Sequence, residues 1–284
     1  MKYHLILLAF LPILAFGQDE DFSLDQEYSV AADGTVDLSC SDAEVQITGS
    51  DRTTAHVVIR RKVTTKGFVE SDQKFSVDVS EKDGNLVIRE QQTGSMSVSL
   101  GYVSEDYTID IEAPRGMSLK MQGDDGNLTV QDIGGALSIS YDDGDVRLQG
   151  CNGDTFALNV DDGDIEIDEG QGTLKVNIDD GDITVNRGTF SDLDISADDG
   201  DVTLVTSLAD QGNYRLEVSD GEIDLDITEG GGAFDIRHDD AAIDSSGPFT
   251  MVKSNDDHTQ LTLPNGSAQV NVLIDDGHVE LSAL

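Results

Sequence analysis

Asp161-Asp162-Gly163-Asp164-Ile165-Glu166-Ile167 is one copy of the motif that decides the fold. The same corner returns as Asp142-Asp143-Gly144-Asp145-Val146, Asp179-Asp180-Gly181-Asp182-Ile183 and Asp198-Asp199-Gly200-Asp201-Val202, with a near copy at Asp124-Asp125-Gly126-Asn127-Leu128. The five glycines, Gly126, Gly144, Gly163, Gly181 and Gly200, recur at a near-constant interval. Weaker copies follow at Ser219-Asp220-Gly221-Glu222-Ile223 and Asp239-Asp240-Ala241-Ala242-Ile243. A distorted one lies near Asp256-Asp257-His258, and a clear one closes the series at Asp275-Asp276-Gly277-His278-Val279. The reading is nine units.

Each unit holds two short alternating segments. Before the Asp pair stand Leu137/Ile139/Tyr141, Phe156/Leu158/Val160 and Leu174/Val176/Ile178; after the glycine stand Val146/Leu148, Ile165/Ile167 and Ile183/Val185. Apolar residues at every second position mark strands, not helices. About five apolar side chains per unit fall on one face. A unit this short cannot bury that face alone, but stacked units can. Repeats of roughly 18–21 residues each suit one turn of such a stack. The expected fold is therefore all-β: a single-stranded parallel β-solenoid, a right-handed β-helix by the general preference of parallel crossovers. Glycine takes positive φ at little cost and aspartate bonds its own turn, which suits both to the corner. The alternative is an antiparallel β-meander or sandwich, with each Asp-Gly serving as a hairpin turn. The near-constant period across two strands favours coils.

Residues 18–115 read as a less regular β N-terminal portion that caps the solenoid, and residues 116–284 as its repeats, in one continuous domain. Val36/Leu38, Val45/Ile47, Val57/Ile59, Phe75/Val77/Val79, Leu86/Ile88 and Tyr107/Ile109/Ile111 read as strands, with excursions at 60–74 and 90–105. Residues 1–17, MKYHLILLAFLPILAFG, read as a signal peptide: Lys2 starts it, Leu5–Leu14 is too short to span a bilayer, and Ala15-Phe16-Gly17 fits a cleavage site. The expected product is exported: periplasmic, secreted or peripherally surface-associated, without stable membrane insertion. Cys40 and Cys151 would meet an oxidising compartment, as a disulfide or as two isolated thiols.

The chain has 284 residues, 17 Lys+Arg and 57 Asp+Glu, for a net charge of −40. Nucleic acid is excluded as a partner, because its binding needs cations to neutralise phosphates. An apolar fraction of 37%, arranged periodically, excludes a disordered chain. The charge is concentrated on the repeats: residues 124–284 carry 37 acids and 6 bases.

Tyr107-Thr108-Ile109-Asp110-Ile111-Glu112-Ala113-Pro114-Arg115-Gly116, the segment Leu119–Val130 and Asp132-Ile133-Gly134-Gly135-Ala136-Leu137 together resemble a bacterial family of β-strand-repeat proteins of unknown function, the putative-adhesin family. The resemblance covers about residues 25–284. It implies an exported β-helix that acts as a structural or adhesin-like interaction module of the cell envelope, and it brings no catalytic residues. This sequence departs from the pattern in doubling the aspartate before nearly every corner glycine.

If coils stack in register, the corners form three acidic columns. Asp142, Asp161, Asp179 and Asp198 belong to the first, Asp143, Asp162, Asp180 and Asp199 to the second, and Asp145, Asp164, Asp182 and Asp201 to the third. Carboxylates one coil apart repel by roughly 1 kcal/mol even in water. Counter-cations would relieve this. Ca²⁺, with six to eight oxygen ligands, is the ion such rows suit, and these twelve aspartates are its candidate ligands. The bland reading is turn chemistry and solubility. No motif requires a cofactor. His238, His258 and His278, evenly spaced, could stack as a transition-metal row, but His238 aligns with the inward Tyr141. The enzymatic alternative is a polysaccharide-active β-helix with clustered aspartates, but every unit carries the same acids, so no pair is singled out for catalysis and the reading is a non-enzyme. The expected partner is a surface or envelope component. End-to-end self-association is a further option: the sequence leaves open whether the final strand, Val279–Leu284, is capped or pairs with another chain through an exposed edge.

Overall fold

The computed structural model describes residues 21–283, and the expected signal peptide lies outside them. All regular structure among the described residues is β. The N-terminal part contains β1 (Phe22–Ser29), β2 (Thr35–Asp42), β3 (Glu44–Ser50), β4 (Thr54–Ser71), β5 (Lys74–Lys82), β6 (Asn85–Thr93) and β7 (Met96–Pro114). Short paired strands follow: β8 (Ser118–Asp125), β9 (Leu128–Gln131), β10 (Leu137–Asp143), β11 (Val146–Gln149), β12 (Thr155–Asp162) and β13 (Ile165–Asp168). Then come β14 (Gln171–Asp180), β15 (Ile183–Asp199), β16 (Val202–Ser207), β17 (Asn213–Glu229), β18 (Gly232–Ser246), β19 (Thr250–Asn255), β20 (His258–Leu263) and β21 (Ala268–Ala283).

A regular coil has two limbs meeting at an Asp-Gly corner, as β10 and β11 do. First limbs pair in parallel from β8 through β10, β12 and β14 to the end of β15 and the start of β17. Second limbs do the same from β9 through β11, β13, the start of β15 and β16 to the end of β17. The corners therefore do not join hairpins. The molecule is a solenoid-like β-structure of mixed strand orientation, because antiparallel strands close both ends.

At both ends the spatial order departs from the sequential stacking that the repeat suggests. The coil of β2 and β3 stacks directly on β8 and β9. On its other side it meets β6 and the last part of β7. Residues 35–50, read from sequence as part of an irregular cap, are thus a coil inside the stack. At the far end β21 lies between β17 and β18, pairing in parallel with each. The last strand is therefore an interior one, and Val279 pairs with both Ile223 and Ile243. The unit expected near Asp256-Asp257 is the turn of the antiparallel β19–β20 hairpin, and β20 covers β18. Antiparallel β5 covers β6, while β4 and β1 cover β7. Interleaving the first and last coils gives each a neighbour on both sides, so neither is left with an open ladder.

The core is a set of stacked columns. One runs Val36, Leu119, Leu137, Phe156, Leu174, Leu193 and Tyr214, and another Leu38, Met121, Ile139, Leu158, Val176, Ile195 and Leu216. All are buried. Each column repeats one inward strand position, which is how period-two alternation becomes a continuous core.

Cys40 and Cys151 are both buried and free, so the disulfide alternative is corrected to two isolated thiols. Burial pushes the Cys40 thiol up to about 12, with nearby Glu90 adding to the effect.

Candidate functional site: an aspartate edge

The corner backbone explains the glycine. Gly144, Gly163, Gly181 and Gly200 all have φ between 136° and 144°. A Cβ on Gly181 would stand 2.3 Å from the Gly163 carbonyl oxygen, and one on Gly200 2.1 Å from that of Gly181. Coils pack here backbone against backbone, and no side chain fits.

The three columns behave differently. The first aspartates, Asp142, Asp161, Asp179 and Asp198, are exposed and fall outside the paired register. The second aspartates form an unbroken ladder through register pairs: Asp42, Asp125, Asp143, Asp162, Asp180, Asp199, Asp220, Asp276 and Asp240. Nine coils each contribute one carboxylate to a single line. Desolvation raises the Asp162 and Asp199 carboxyls above the usual range, and the aspartates on adjacent coils add to it.

Third-column residues are tied into the backbone. The Asp145 N–H donates to Asn127 Oδ1 at 3.0 Å, Asp164 N–H to Asp145 Oδ1 at 3.1 Å and Asp182 N–H to Asp164 Oδ1 at 3.0 Å. Asp201 N–H donates to Asp182 Oδ1 and Glu222 N–H to Asp201 Oδ1, both at 2.9 Å. Each carboxylate thus holds the next coil's turn by a charge-assisted hydrogen bond. One oxygen of each is already engaged.

Asp42 was not legible as a member. Its corner, Ser41-Asp42-Ala43-Glu44, lacks the glycine and is separated from Asp125 by the whole run of β3 to β7. The signal was there in Val36/Leu38/Cys40 before the corner and Val45/Ile47 after it. Asp42 is also the most perturbed acid of the ladder. Burial first, then a hydrogen bond with Asp125, then the charges of Asp125, Glu105 and Glu90, push its carboxyl up to about 6. Glu90 accepts from the Ser41 N–H at 3.0 Å, which fixes it beside this corner.

Among the described residues, no group of three or more His, Cys, Asp or Glu side chains is gathered as a metal-holding cluster. The three histidines do not form a row. His238 pairs in register with the inward Ile274, and His278 with Glu222 and Ala242 in the third column. His258 sits at the β19–β20 turn, its Nε2 3.0 Å from Asp235 Oδ2. The described residues contain no helix long and apolar enough to cross a membrane.

No curated protein matches the chain. Among solved structures, a "putative adhesin" from Parabacteroides distasonis is similar over 93% of this chain and 98% of its own, at 14% identity and a TM-score of 0.50. A "putative adhesin" from Parabacteroides merdae is similar over 93% and 97%, at 15% identity and a TM-score of 0.41. A "putative lipid binding protein" from Parabacteroides distasonis is similar over 93% and 98%, at 11% identity and a TM-score of 0.41. Likeness at these identities concerns fold and not activity. The Toastrack DUF4097 family model matches residues 35–282, nearly all of the described chain, and the chain belongs to that family.

Proposed function

We propose that the chain is an exported, non-enzymatic structural module of the cell envelope, a β-helical rod with an adhesin-like role in contacts with a surface or envelope partner. The observation that carries this reading is the repeating aspartate edge. The same carboxylate recurs in nine successive coils, from Asp42 to Asp240. An active site gathers its acid and its base at one place. A repeating edge instead offers an extended, periodic contact surface and keeps an elongated body in solution. Counter-cations, Ca²⁺ first, gather along this edge and stiffen the rod; this belongs to the same proposal. Nucleic acid is no partner for such a surface.

The test is localisation and adhesion together. An epitope tag at the C-terminus should be labelled on intact cells or recovered with the envelope. Deletion of the gene should lower attachment to matrix-coated surfaces, with recovery on complementation. Retention in the cytoplasm, or turnover of a polysaccharide by the purified chain, would overturn the reading.

A further inference from the structure

Beyond the corner of the Asp42 coil, β4 and β7 run on together as a two-stranded antiparallel ribbon. Phe68 pairs with Leu100 and Lys66 with Tyr102. β1 stops pairing with β4 at Arg61, and β3 begins pairing with β7 only at Thr108. Past those points neither ribbon edge has a strand beside it among the described residues. The inward face of β4 and β7 ends in Ile59, Arg61, Tyr107 and Ile109, all buried. Alternation therefore turns Phe68, Leu100 and Tyr102 outward, up to the register shift after Phe68, where Val98 pairs with Val69 instead. Phe68 is 74% exposed and Leu100 69%, with Tyr102 about half exposed. The Lys66 ammonium lies 5.5 Å from the centre of the Tyr102 ring.

A two-stranded ribbon is marginal in water by itself, and an apolar face on it marks a contact surface. Lipid is a poor occupant, because the open strand edges would carry unpaired N–H and C=O groups into hydrocarbon. Charge narrows the choice further. In a chain of net charge −40, two copies repel almost everywhere. On this outward face, from the Thr64–Ser104 pair to the Phe68–Leu100 pair, the charge among the described side chains is Lys66 alone. A second copy meets least repulsion there and offers an apolar face of the same size.

We infer that two copies of this chain pair through these ribbon faces, Phe68 and Leu100 of each against those of the other. Side chains of this kind expose on the order of 400 Å² per face, so the pair buries about 800 Å². That is below the area of a stable complex, and the dimer is a weak, reversible one with a dissociation constant in the micromolar range. The contact joins two rods through their N-terminal ends and leaves both aspartate edges free. It rests on the ribbon alone and does not require the adhesive role proposed above.

Sedimentation velocity of the chain from Gln18 onward tests it, over protein concentrations from about 5 to 500 µM in low salt and in about 0.5 M NaCl. The expected result is a concentration-dependent dimer that strengthens with salt, as the repulsion between the acidic bodies is screened. Phe68→Ser with Leu100→Ser should weaken it at least about tenfold with an unchanged unfolding midpoint, since both side chains are exposed. A second variant, Tyr102→Lys, should weaken it independently. A monomer at every concentration and salt, or a dimer that both variants leave intact, overturns the inference. So does a ribbon-dependent binding of the monomer to phospholipid vesicles, which would assign the face to lipid. Unchanged attachment on deletion of the gene, with the dimer intact, would count against the envelope role and leave this pairing standing.

Discussion

The Asp164 main-chain N–H donates to Asp145 Oδ1 of the coil before it, at 3.1 Å, and Asp164 Oδ1 in turn accepts the N–H of Asp182 at 3.0 Å. The relation extends from Asn127 to Glu222, so the acids that most suggest a ligand site are also structural links between coils. Asn127 begins the series with an amide oxygen in the same role. Asp164→Asn should therefore retain stability, or gain a little by removing a charge. Asp164→Ala leaves the Asp182 N–H without this partner and should cost about 0.5–1.5 kcal/mol in urea unfolding. Equal effects of the two substitutions would mean that the hydrogen bond contributes nothing.

The carboxylate ladder sets a pH dependence. Asp42 titrates near 6 in the folded chain against an ordinary value of 3.8, and Asp162 and Asp199 are also raised. The folded state then holds protons more tightly than the unfolded one. This contribution to stability is full below the unfolded values and is lost as pH rises through the folded ones. Unfolding midpoints should rise as pH falls from about 7.5 to about 4.5. Asp42→Asn should flatten the part of that rise near pH 6. A midpoint that falls steadily on acidification over this range would contradict the arrangement.

Gly123 and Tyr141 occupy adjacent places in one inward column, and a Cβ on Gly123 would lie 2.5 Å from Tyr141 Cζ. The ring takes the space that the missing side chain leaves. Gly123→Ala should destabilise by about 1–3 kcal/mol, the usual cost of overpacking. Tyr141→Leu should reduce that penalty in a double-mutant cycle. Additive effects would show that the two positions do not share this space.

Corner glycines should not tolerate a side chain in mid-stack. Gly181→Ala meets both a φ of 138° and a carbonyl oxygen 2.3 Å away. A loss of at least about 2 kcal/mol is expected, read by thermal or denaturant unfolding. Wild-type stability in this variant would require the coils to separate at the corner.

The cation part of the proposed function is tested by unfolding in EDTA, Mg²⁺ and Ca²⁺ at fixed ionic strength. Ca²⁺ should raise the midpoint above a matched monovalent salt, because it binds the folded edge in preference to the unfolded chain. Replacing Asp161, Asp162 and Asp164 together by Asn should shrink that increment. A midpoint indifferent to the ion would leave the acids as turn and solubility residues.

By itself the sequence determined the local rule. An apolar residue at every second position and an Asp-Gly corner at a near-constant interval leave β-coils as the economical way to bury the apolar face, and the columns from Leu119 to Tyr214 follow that rule. It also placed the twelve candidate aspartates on one edge. Only the tertiary structure decided which coils are neighbours. Asp42 joins Asp125 although five strands intervene in sequence, and the last coil inserts between the two before it, because strand ends left open must find partners and nothing in a local period specifies which. The same holds for function within the corner. Three aspartates that look alike in sequence become a residue outside the paired register, a rung of the ladder and a backbone acceptor. That division depends on where the neighbouring coil's N–H groups point, which the repeat alone does not encode.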